Sequence, residues 1–184
     1  MDYLIEGSYD RVMYSREASQ VQRCHGLPHI GSYDIAQHSF NMLLLLKQLH
    51  PSAQRQKRLF WAITAHDMGE RVAGDVPAPV KVRDPIIKEQ LDKIEDLILV
   101  GTGFNTENLS DTEHKWLKGL DLLEFWFWIS EQVTMGNGRL RNEKAQVEEV
   151  LHECKSWLPA PIYSMFVKAV TTDYRGVGNK GWKS

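Results

Sequence analysis

Apolar residues recur at helical spacing along most of the chain, and no segment shows the strict alternation expected of a half-buried strand. This pattern predicts an all-α fold. The clearest helix begins after Asp34, which can cap its first turn, and continues to Leu49, just before Pro51. Further helices are predicted over residues 53–68, 85–100, 110–135, 142–157 and 161–173.

The connections between these helices indicate one continuous domain. Gly74, Pro77 and Pro79 predict an ordered, non-helical loop over residues 74–81, beside the end of the second predicted helix. No repeat, low-complexity tract or linker divides the chain, so we expect a single domain over residues 1–184. The glycine-rich stretch at residues 175–184 is expected to be a flexible tail.

The composition narrows the classes of partner. Lys and Arg number 22 against 24 Asp and Glu, so the chain lacks the basic excess that grips a nucleic-acid polymer. The longest apolar run, Leu122 to Ile129, is too short to cross a membrane. Cys24 and Cys154 form no paired motif, and the first residues lack the pattern of a signal peptide. We therefore expect a cytoplasmic protein.

Four side chains on three predicted helices indicate a metal site. His66 and Asp67 follow an apolar run, and Asp121 lies within an apolar helix, where an ionised carboxylate needs a cation or strong hydrogen bonds. His38 lies one turn into the helix capped by Asp34. Imidazole and carboxylate ligands suit a divalent ion such as zinc, cobalt or manganese. Each residue alone is more often a core or capping residue, so the prediction depends on all four.

The order of these ligands resembles that of the HD-domain phosphohydrolase superfamily. The resemblance implies a compact bundle of about six to seven helices around a divalent ion. The pattern is similar to that of the 5'-deoxynucleotidase branch and of related short phage proteins that include dATP triphosphohydrolases. A phage-encoded protein would act in the host cytoplasm. Beyond the ligands, the matching parts are Arg23, residues 66–75, residues 77–81 and residues 131–137.

The resemblance also implies catalytic roles near the metal. Glu70 would act as general acid or base and orient the attacking water, while Asp67 would serve both the metal and the reaction. Arg23 would contact phosphate oxygens through its planar guanidinium, and Lys81 would add a second positive charge. The alternative for each of Glu70, Arg23 and Lys81 is an ordinary surface charge.

The resemblance also concerns residues that would contact the substrate, before and after the first ligands in the sequence. Asp75 would accept a hydrogen bond from the sugar 3'-hydroxyl, although Asp after Gly is equally natural in a turn. The nucleotidase branch carries a Trp that helps exclude a 2'-hydroxyl where this chain has Cys24, which weakens the case for strict deoxyribose selection. His25 and His29 would contact further phosphates or a second ion, or serve only as loop residues.

Several functions are compatible with these residues. The leading hypothesis is hydrolysis of a deoxynucleoside triphosphate, dATP above all, to the deoxynucleoside and tripolyphosphate. The alternatives are a 5'-deoxynucleotidase that releases phosphate from deoxynucleoside monophosphates, an enzyme for another phosphoester such as a cyclic or signalling nucleotide, and a non-catalytic helical module with a structural metal. Aromatic residues on several faces of the 110–135 helix also predict a homo-oligomer, either a dimer or a hexamer.

Overall fold

The computed structural model describes residues 7–103 and 109–172, and these are mainly helical. Within those ranges no β-strand forms, and Gln22 and Asp34 make one isolated antiparallel bridge. The predicted all-α class is therefore confirmed, with seven helices of eleven or more residues in the described ranges. The helices are α1 Ser8–Ala18, α2 Ile35–Leu49, α3 Ala53–Ala65, α4 Glu70–Ala73, α5 Ala78–Arg83, α6 Pro85–Thr102, α7 Asp111–Thr134, α8 Arg141–Glu153 and α9 Ala160–Thr171.

Three local predictions differ from the structure. The sequence pattern did not reveal α1, because this helix is largely polar and buries only Tyr14 and Ala18. Residues 78–83 form the short helix α5 rather than a non-helical loop, since Pro77 restricts the chain just before a helix start, where proline is tolerated. The helix predicted over 53–68 ends at Ala65. The tail predicted at 175–184 lies outside the described residues.

α7 is the central helix of the bundle and packs against α2, α3, α8 and α9. Leu120, Leu123 and Trp126 of α7 are buried in the same apolar cluster as Met42 and Leu46 of α2. Burial of this apolar surface holds the two helices side by side. The His38 face of α2 consequently lies opposite the Asp121 face of α7.

The aromatic residues of α7 mainly serve the core. Trp116, Trp126 and Trp128 are all buried within the chain. Trp126 meets Phe166 of α9 edge to face, with ring centroids 5.4 Å apart. These rings therefore give no support to the predicted homo-oligomer, which remains a prediction.

A second group of contacts positions the turn between α3 and α4. The Tyr14 hydroxyl of α1 donates a hydrogen bond to the Met68 carbonyl at 3.0 Å. Gly69 packs closely on α6, because a Cβ at this position would lie only 3.0 Å from the Glu95 Cα. The turn that carries His66 and Asp67 is therefore fixed from two sides.

Within the described residues, the helices are too short or too polar to serve as membrane spans.

Candidate metal centre

Two histidines direct the same ring nitrogen into one site. His38 lies on α2 with its Nδ1 2.6 Å from Glu124 Oε2, and His66 follows α3 with its Nδ1 2.8 Å from the Ile63 carbonyl oxygen. Both Nε2 atoms are buried and have no hydrogen-bond partner among the described residues. Histidine ligands characteristically donate one ring N–H to a carboxylate or carbonyl and bind metal through the other nitrogen. Both imidazoles therefore have the orientation of ligands.

Asp67 completes a compact group with these histidines. Its Oδ2 lies 3.2 Å from His66 Nε2 and 3.8 Å from His38 Nε2. The three residues can each offer a ligand atom within 4.8 Å of the others. Ligand atoms around a tetrahedral zinc ion lie roughly 3.3 Å apart at the usual bond lengths. The donor types and their spacing thus fit a divalent ion.

The fourth predicted ligand, Asp121, lies beside this group. Its Oδ1 is 3.5 Å from His38 Nε2, in a geometry that does not make a hydrogen bond, and its Oδ2 accepts a hydrogen bond from Lys118 Nζ at 2.9 Å. Arg23 lies between the two aspartates, with Nη1 hydrogen-bonded to Asp67 and Nη2 3.8 Å from Asp121 Oδ1. Its positive charge offsets the repulsion between the carboxylates. All four predicted ligands are therefore brought into one region.

Burial and neighbouring charges set the ionisation of the two histidines. Burial lowers the pKa of His66, which favours the neutral imidazole that binds metal. For His38, burial acts in the same direction, but the nearby Asp121 and Glu124 carboxylates outweigh it and raise the pKa to about 9. A proton and a metal ion therefore compete for His38 Nε2.

The pKa values of two acidic groups in the site, Asp121 and Glu70, are shifted in opposite directions. Burial acts to raise the pKa of Asp121, but the Lys118 charge and then the His38 imidazole hold that pKa well below its usual range. Burial, followed by the negative charge of Asp67, raises the pKa of Glu70 to about 9. Glu70 begins α4, and its Oε2 is buried without a hydrogen-bond partner among the described residues, 3.9 Å from Arg23 Nη1. The site thus contains one carboxylate held ionised and one carboxyl group that tends to keep its proton.

Cys24, His25 and Asp75 meet beside Arg23. The Cys24 amide donates a hydrogen bond to Asp75 Oδ2 at 2.6 Å, and His25 Nδ1 lies 4.0 Å from the same oxygen. Cys24 has a left-handed backbone with φ of 54°, and burial together with the Asp75 charge raises the pKa of its thiol to about 12. Asp75 therefore fixes the backbone of the loop through one of its carboxylate oxygens.

His29 and Lys81 lie further from the ligands. His29 Nδ1 lies 2.8 Å from the Leu27 carbonyl oxygen, and its ring meets Trp128 edge-on with centroids 5.5 Å apart. Lys81 on α5 forms an ion pair with Glu95 on α6, with Nζ 3.5 Å from Oε1. In the described part of the chain, these contacts do not join either residue to the ligand group. The structure thus gives His29 and Lys81 less support than Arg23 and Glu70.

Glu124 is the main residue of this region that the sequence reasoning missed. It accepts hydrogen bonds from the hydroxyl of Tyr33, from His38 Nδ1 at 2.6 Å and from Asn41 Nδ2 at 3.1 Å. The sequence held one indication of its place: Glu124 follows Asp121 by three positions, and residues three apart on a helix share a face.

A pair of side chains beyond Glu124 anchors the loop that follows Cys24. The Ile30 amide donates to Gln132 Oε1 at 2.7 Å, and Gln132 Nε2 donates back to the Ile30 carbonyl at 2.9 Å. Asn137 Nδ2 also donates to the Pro28 carbonyl at 2.8 Å. The 131–137 segment, one of the segments on which the sequence resemblance was based, thus holds the loop against the end of α7.

Two comparisons relate this chain to known phosphohydrolases. The YfbR-like 5'-deoxynucleotidase family model matches residues 13–102, a range that includes His38, His66 and Asp67. No match is found among curated proteins. Among solved structures, the chain resembles the cyanophage S-2L HD phosphohydrolase DatZ, a structure bound to dA and one catalytic Zn²⁺ ion. The TM-score is 0.67 at 18% sequence identity, over 94% of this chain and 99% of that chain. The chain has the fold of an HD-domain phosphohydrolase, and the match to the YfbR-like family over residues 13–102 supports a place in that superfamily.

Proposed function

We propose that the protein is a metal-dependent phosphohydrolase of deoxynucleotides, with a deoxynucleoside triphosphate such as dATP as its leading substrate. The products would be the deoxynucleoside and tripolyphosphate. The observation that carries the proposal is the pair of buried Nε2 atoms of His38 and His66, which face Asp67 and have no partner among the described residues. The similarity in fold to a phosphohydrolase bound to dA and catalytic Zn²⁺ supports the choice of nucleoside.

Four residues would hold the metal. His38, His66 and Asp67 offer ligand atoms within 4.8 Å of one another, and Asp121 lies next to His38. When bound, a zinc, cobalt or manganese ion would acidify a water molecule and offset the negative charge of the phosphate.

Arg23 is the best-placed group for binding phosphate oxygens. Its guanidinium lies among the site carboxylates, and its Nε is buried without a hydrogen-bond partner among the described residues. Burial acts against its charge, but Asp67 and Asp121 outweigh this effect and raise the pKa, so the guanidinium stays positive. A planar guanidinium can donate two parallel hydrogen bonds to a phosphate. Lys118, which is mostly exposed and bonded to Asp121, adds a second cation at the rim.

Glu70 is placed to move a proton or to orient the attacking water. Its Oε2 has no hydrogen-bond partner among the described residues and lies near Arg23. In the proposed reaction, water attacks the α-phosphorus and the bond from that phosphorus to the sugar 5'-oxygen breaks. The 5'-oxygen then needs a proton as the deoxynucleoside leaves. A carboxyl group near the phosphate can supply it as a general acid.

The non-catalytic alternative receives less support from the same residues. A structural metal site is complete with its ligands and has no need of additional polar groups around them. Arg23 and Glu70 instead present buried polar atoms that lack partners among the described residues. Such atoms suit a substrate or a water molecule better than a closed site.

A 5'-deoxynucleotidase is the second candidate, and the family match to 5'-deoxynucleotidases favours it. It would use the same residues, because both reactions break the bond between the sugar 5'-oxygen and the adjacent phosphorus. The two activities differ in the length of the phosphate chain that must be accommodated beyond that phosphorus. Product identity therefore separates them.

The decisive experiment is product analysis with the metal-loaded protein and dATP, dAMP, ATP and AMP. Deoxyadenosine with tripolyphosphate supports the leading proposal, whereas phosphate from dAMP alone moves the protein to the 5'-deoxynucleotidase function. His66→Ala and Asp67→Ala should each abolish the activity. His114→Ala and Asp92→Ala are matched controls, because both residues are exposed and neither is among the predicted site residues. Activity that survives both site substitutions would overturn the metal-dependent mechanism.

A further inference from the structure

The hydrogen-bonding environment of Glu124 is unusual for a residue inside an apolar helix. Glu124 is 2% exposed and lies on α7 between the core residues Leu123 and Trp126. Its Oε2 accepts from both the Tyr33 hydroxyl and His38 Nδ1, and its Oε1 accepts from Asn41 Nδ2 at 3.1 Å. Three donors thus surround one buried carboxylate.

Burying a carboxylate in this way contributes little to folding stability, so its presence needs another explanation. Moving an ionised carboxylate from water into a protein interior costs on the order of several kcal/mol. Well-packed apolar residues in the same place are often at least as stabilising. Three hydrogen bonds compensate for that cost, because charge-assisted bonds are stronger than neutral ones. Since apolar residues form the adjoining part of α7, stability alone does not explain the carboxylate.

The contact with His38 supplies the explanation. The imidazole is fully buried, and its Nδ1 lies 2.6 Å from Glu124 Oε2. Donation from Nδ1 fixes the tautomer and leaves the Nε2 lone pair available. That Nε2 faces Asp67 Oδ2 at 3.8 Å and Asp121 Oδ1 at 3.5 Å. Two carboxylates of α7, one turn apart, therefore lie against opposite nitrogens of the same ring.

We propose that Glu124 is a positioning residue for the metal: it holds His38 in the tautomer and orientation that present Nε2 to a divalent ion, while Tyr33 and Asn41 fix the carboxylate. This inference rests on the proposed function, because it assigns a support to one ligand of that same site. Glu124 acts through His38 and has no direct role in the reaction. Its negative charge also makes the imidazole a stronger ligand.

The test compares two glutamates of the same helix. Glu124→Gln keeps the shape and removes the charge, and we expect Zn²⁺ to bind about 10- to 100-fold more weakly. Glu113→Gln is the matched control, because Glu113 is also 2% exposed on α7 but contacts Ser110 and Arg58 instead of the site. Zn²⁺ affinity is measured by competition with a chromophoric chelator, with circular dichroism as the check on folding. The control should retain wild-type affinity even where its stability falls.

A spectroscopic measurement separates a positioning role from a purely structural one. The visible absorption spectrum of the Co²⁺-loaded protein depends on coordination geometry, so we expect it to change in Glu124→Gln and to stay unchanged in Glu113→Gln. Where Glu124→Gln does not fold, Tyr33→Phe takes its place. Loss of the hydroxyl removes its hydrogen bond to Glu124 and its contact with His38 Nδ1 at 3.0 Å, and it should weaken Zn²⁺ binding several-fold.

The outcomes distinguish this inference from the proposed function. A wild-type protein that binds none of Zn²⁺, Co²⁺ and Mn²⁺ overturns both. A wild-type protein that binds Zn²⁺ and hydrolyses its substrate, together with a folded Glu124→Gln of equal Zn²⁺ affinity and unchanged Co²⁺ spectrum, overturns the role of Glu124 alone. If Tyr33→Phe is used instead, a folded variant with unchanged Zn²⁺ affinity also overturns the role of Glu124.

Discussion

Cys24 lies at the centre of a small network beside the candidate metal site, between Arg23 and the Asp75 carboxylate. The resemblance to deoxynucleotidases would place a Trp here, and the structure shows how the smaller residue is accommodated. The Cys24 amide binds Asp75 at 2.6 Å, and its side chain packs against the cluster that contains Tyr33 and Trp128. The sulfur is therefore partly buried next to a negative charge.

This environment predicts a thiol of very low reactivity. Burial and then Asp75 raise the pKa of Cys24 to about 12, so at pH 8 only about one thiol in ten thousand is ionised, against about a quarter for an ordinary cysteine. In a Cys154→Ser background, alkylation of Cys24 by iodoacetamide should be at least about 100-fold slower than that of glutathione. The rate should increase with pH, because ionisation is incomplete below the pKa.

Asp75→Asn tests the cause of this low reactivity. Asparagine keeps an oxygen that can accept from the Cys24 amide but lacks the charge, so the pKa should fall and alkylation should become faster. A thiol that already reacts as fast as glutathione in the Cys154→Ser protein contradicts the prediction.

The residues predicted as ligands lie in one region of the structure, whereas the carboxylate that contacts His38 Nδ1 was not predicted from the sequence. His38, His66, Asp67 and Asp121 stand out because polar groups in apolar helices require partners. Glu124 fits the same description, but its partner is an imidazole on another helix, and only tertiary packing shows which of the two carboxylates on α7 contacts which nitrogen. Side-chain orientation of this kind has no signature in spacing alone.

At the scale of elements, helix existence was more predictable than helix ends. Helices α2, α3, α6 and α7 follow the apolar pattern of the sequence. α1 lacks that pattern, because it buries only Tyr14 and Ala18. Specific contacts hold it in place, such as the hydrogen bond from the Tyr14 hydroxyl to the Met68 carbonyl. α5 was not predicted, because proline occurs in loops as readily as at the start of a helix.

The close approach of α4 and α6 at Gly69 gives a stability prediction. A Cβ at this position would lie 2.7 Å from Glu95 Cγ and 3.0 Å from Glu95 Cα, and the backbone atom cannot move without shifting α6. Gly69→Ala should therefore lower the free energy of unfolding by about 1–3 kcal/mol. Gly26→Ala is the matched control, because none of the described residues beyond its chain neighbours places an atom within 4 Å of its added Cβ. Urea unfolding measures both, and equal stability of the two variants would refute the close contact.

The anchoring of the loop by Gln132 gives a prediction for substrate binding. Gln132→Ala removes both hydrogen bonds to Ile30, so the loop that carries Cys24 and His25 should become more mobile. We expect KM to increase several-fold with a smaller change in kcat, and faster hydrogen exchange in peptides that cover residues 24–32. Gln146→Ala, exposed on α8, serves as the control. Unchanged exchange in the loop peptides would show that Gln132 does not anchor it.

At the scale of the whole molecule, metal binding should stabilise the folded state. A ligand that binds only the folded protein adds about 2.7 kcal/mol at a concentration 100 times its Kd. For a chain of this size, that corresponds to an increase in Tm of roughly 5–10 °C. Thermal unfolding with and without Zn²⁺ measures the shift, and a chelator should reverse it. His66→Ala should lose the shift and His114→Ala should keep it; a shift of equal size in both would place the metal elsewhere.

The predicted homo-oligomer is also a property of the whole molecule. Phe40 of α2 and Trp61 of α3 are 61% and 58% exposed, and large exposed apolar side chains are characteristic of contact surfaces. Light scattering on the purified protein should give a multiple of the 21.2 kDa chain mass, two- or six-fold. A mass of one chain at micromolar concentration would reject the prediction.

The bond between Ile30 and Gln132 joins residues 102 positions apart, and this has a consequence for the order of folding. Contacts between distant segments form late, because closing a long loop costs entropy before any contact can compensate for it. Helices α2 and α3 can pair locally, but the loop after Cys24 acquires its final shape only once α7 has docked. In a refolding experiment, helical circular dichroism should therefore return before catalytic activity does.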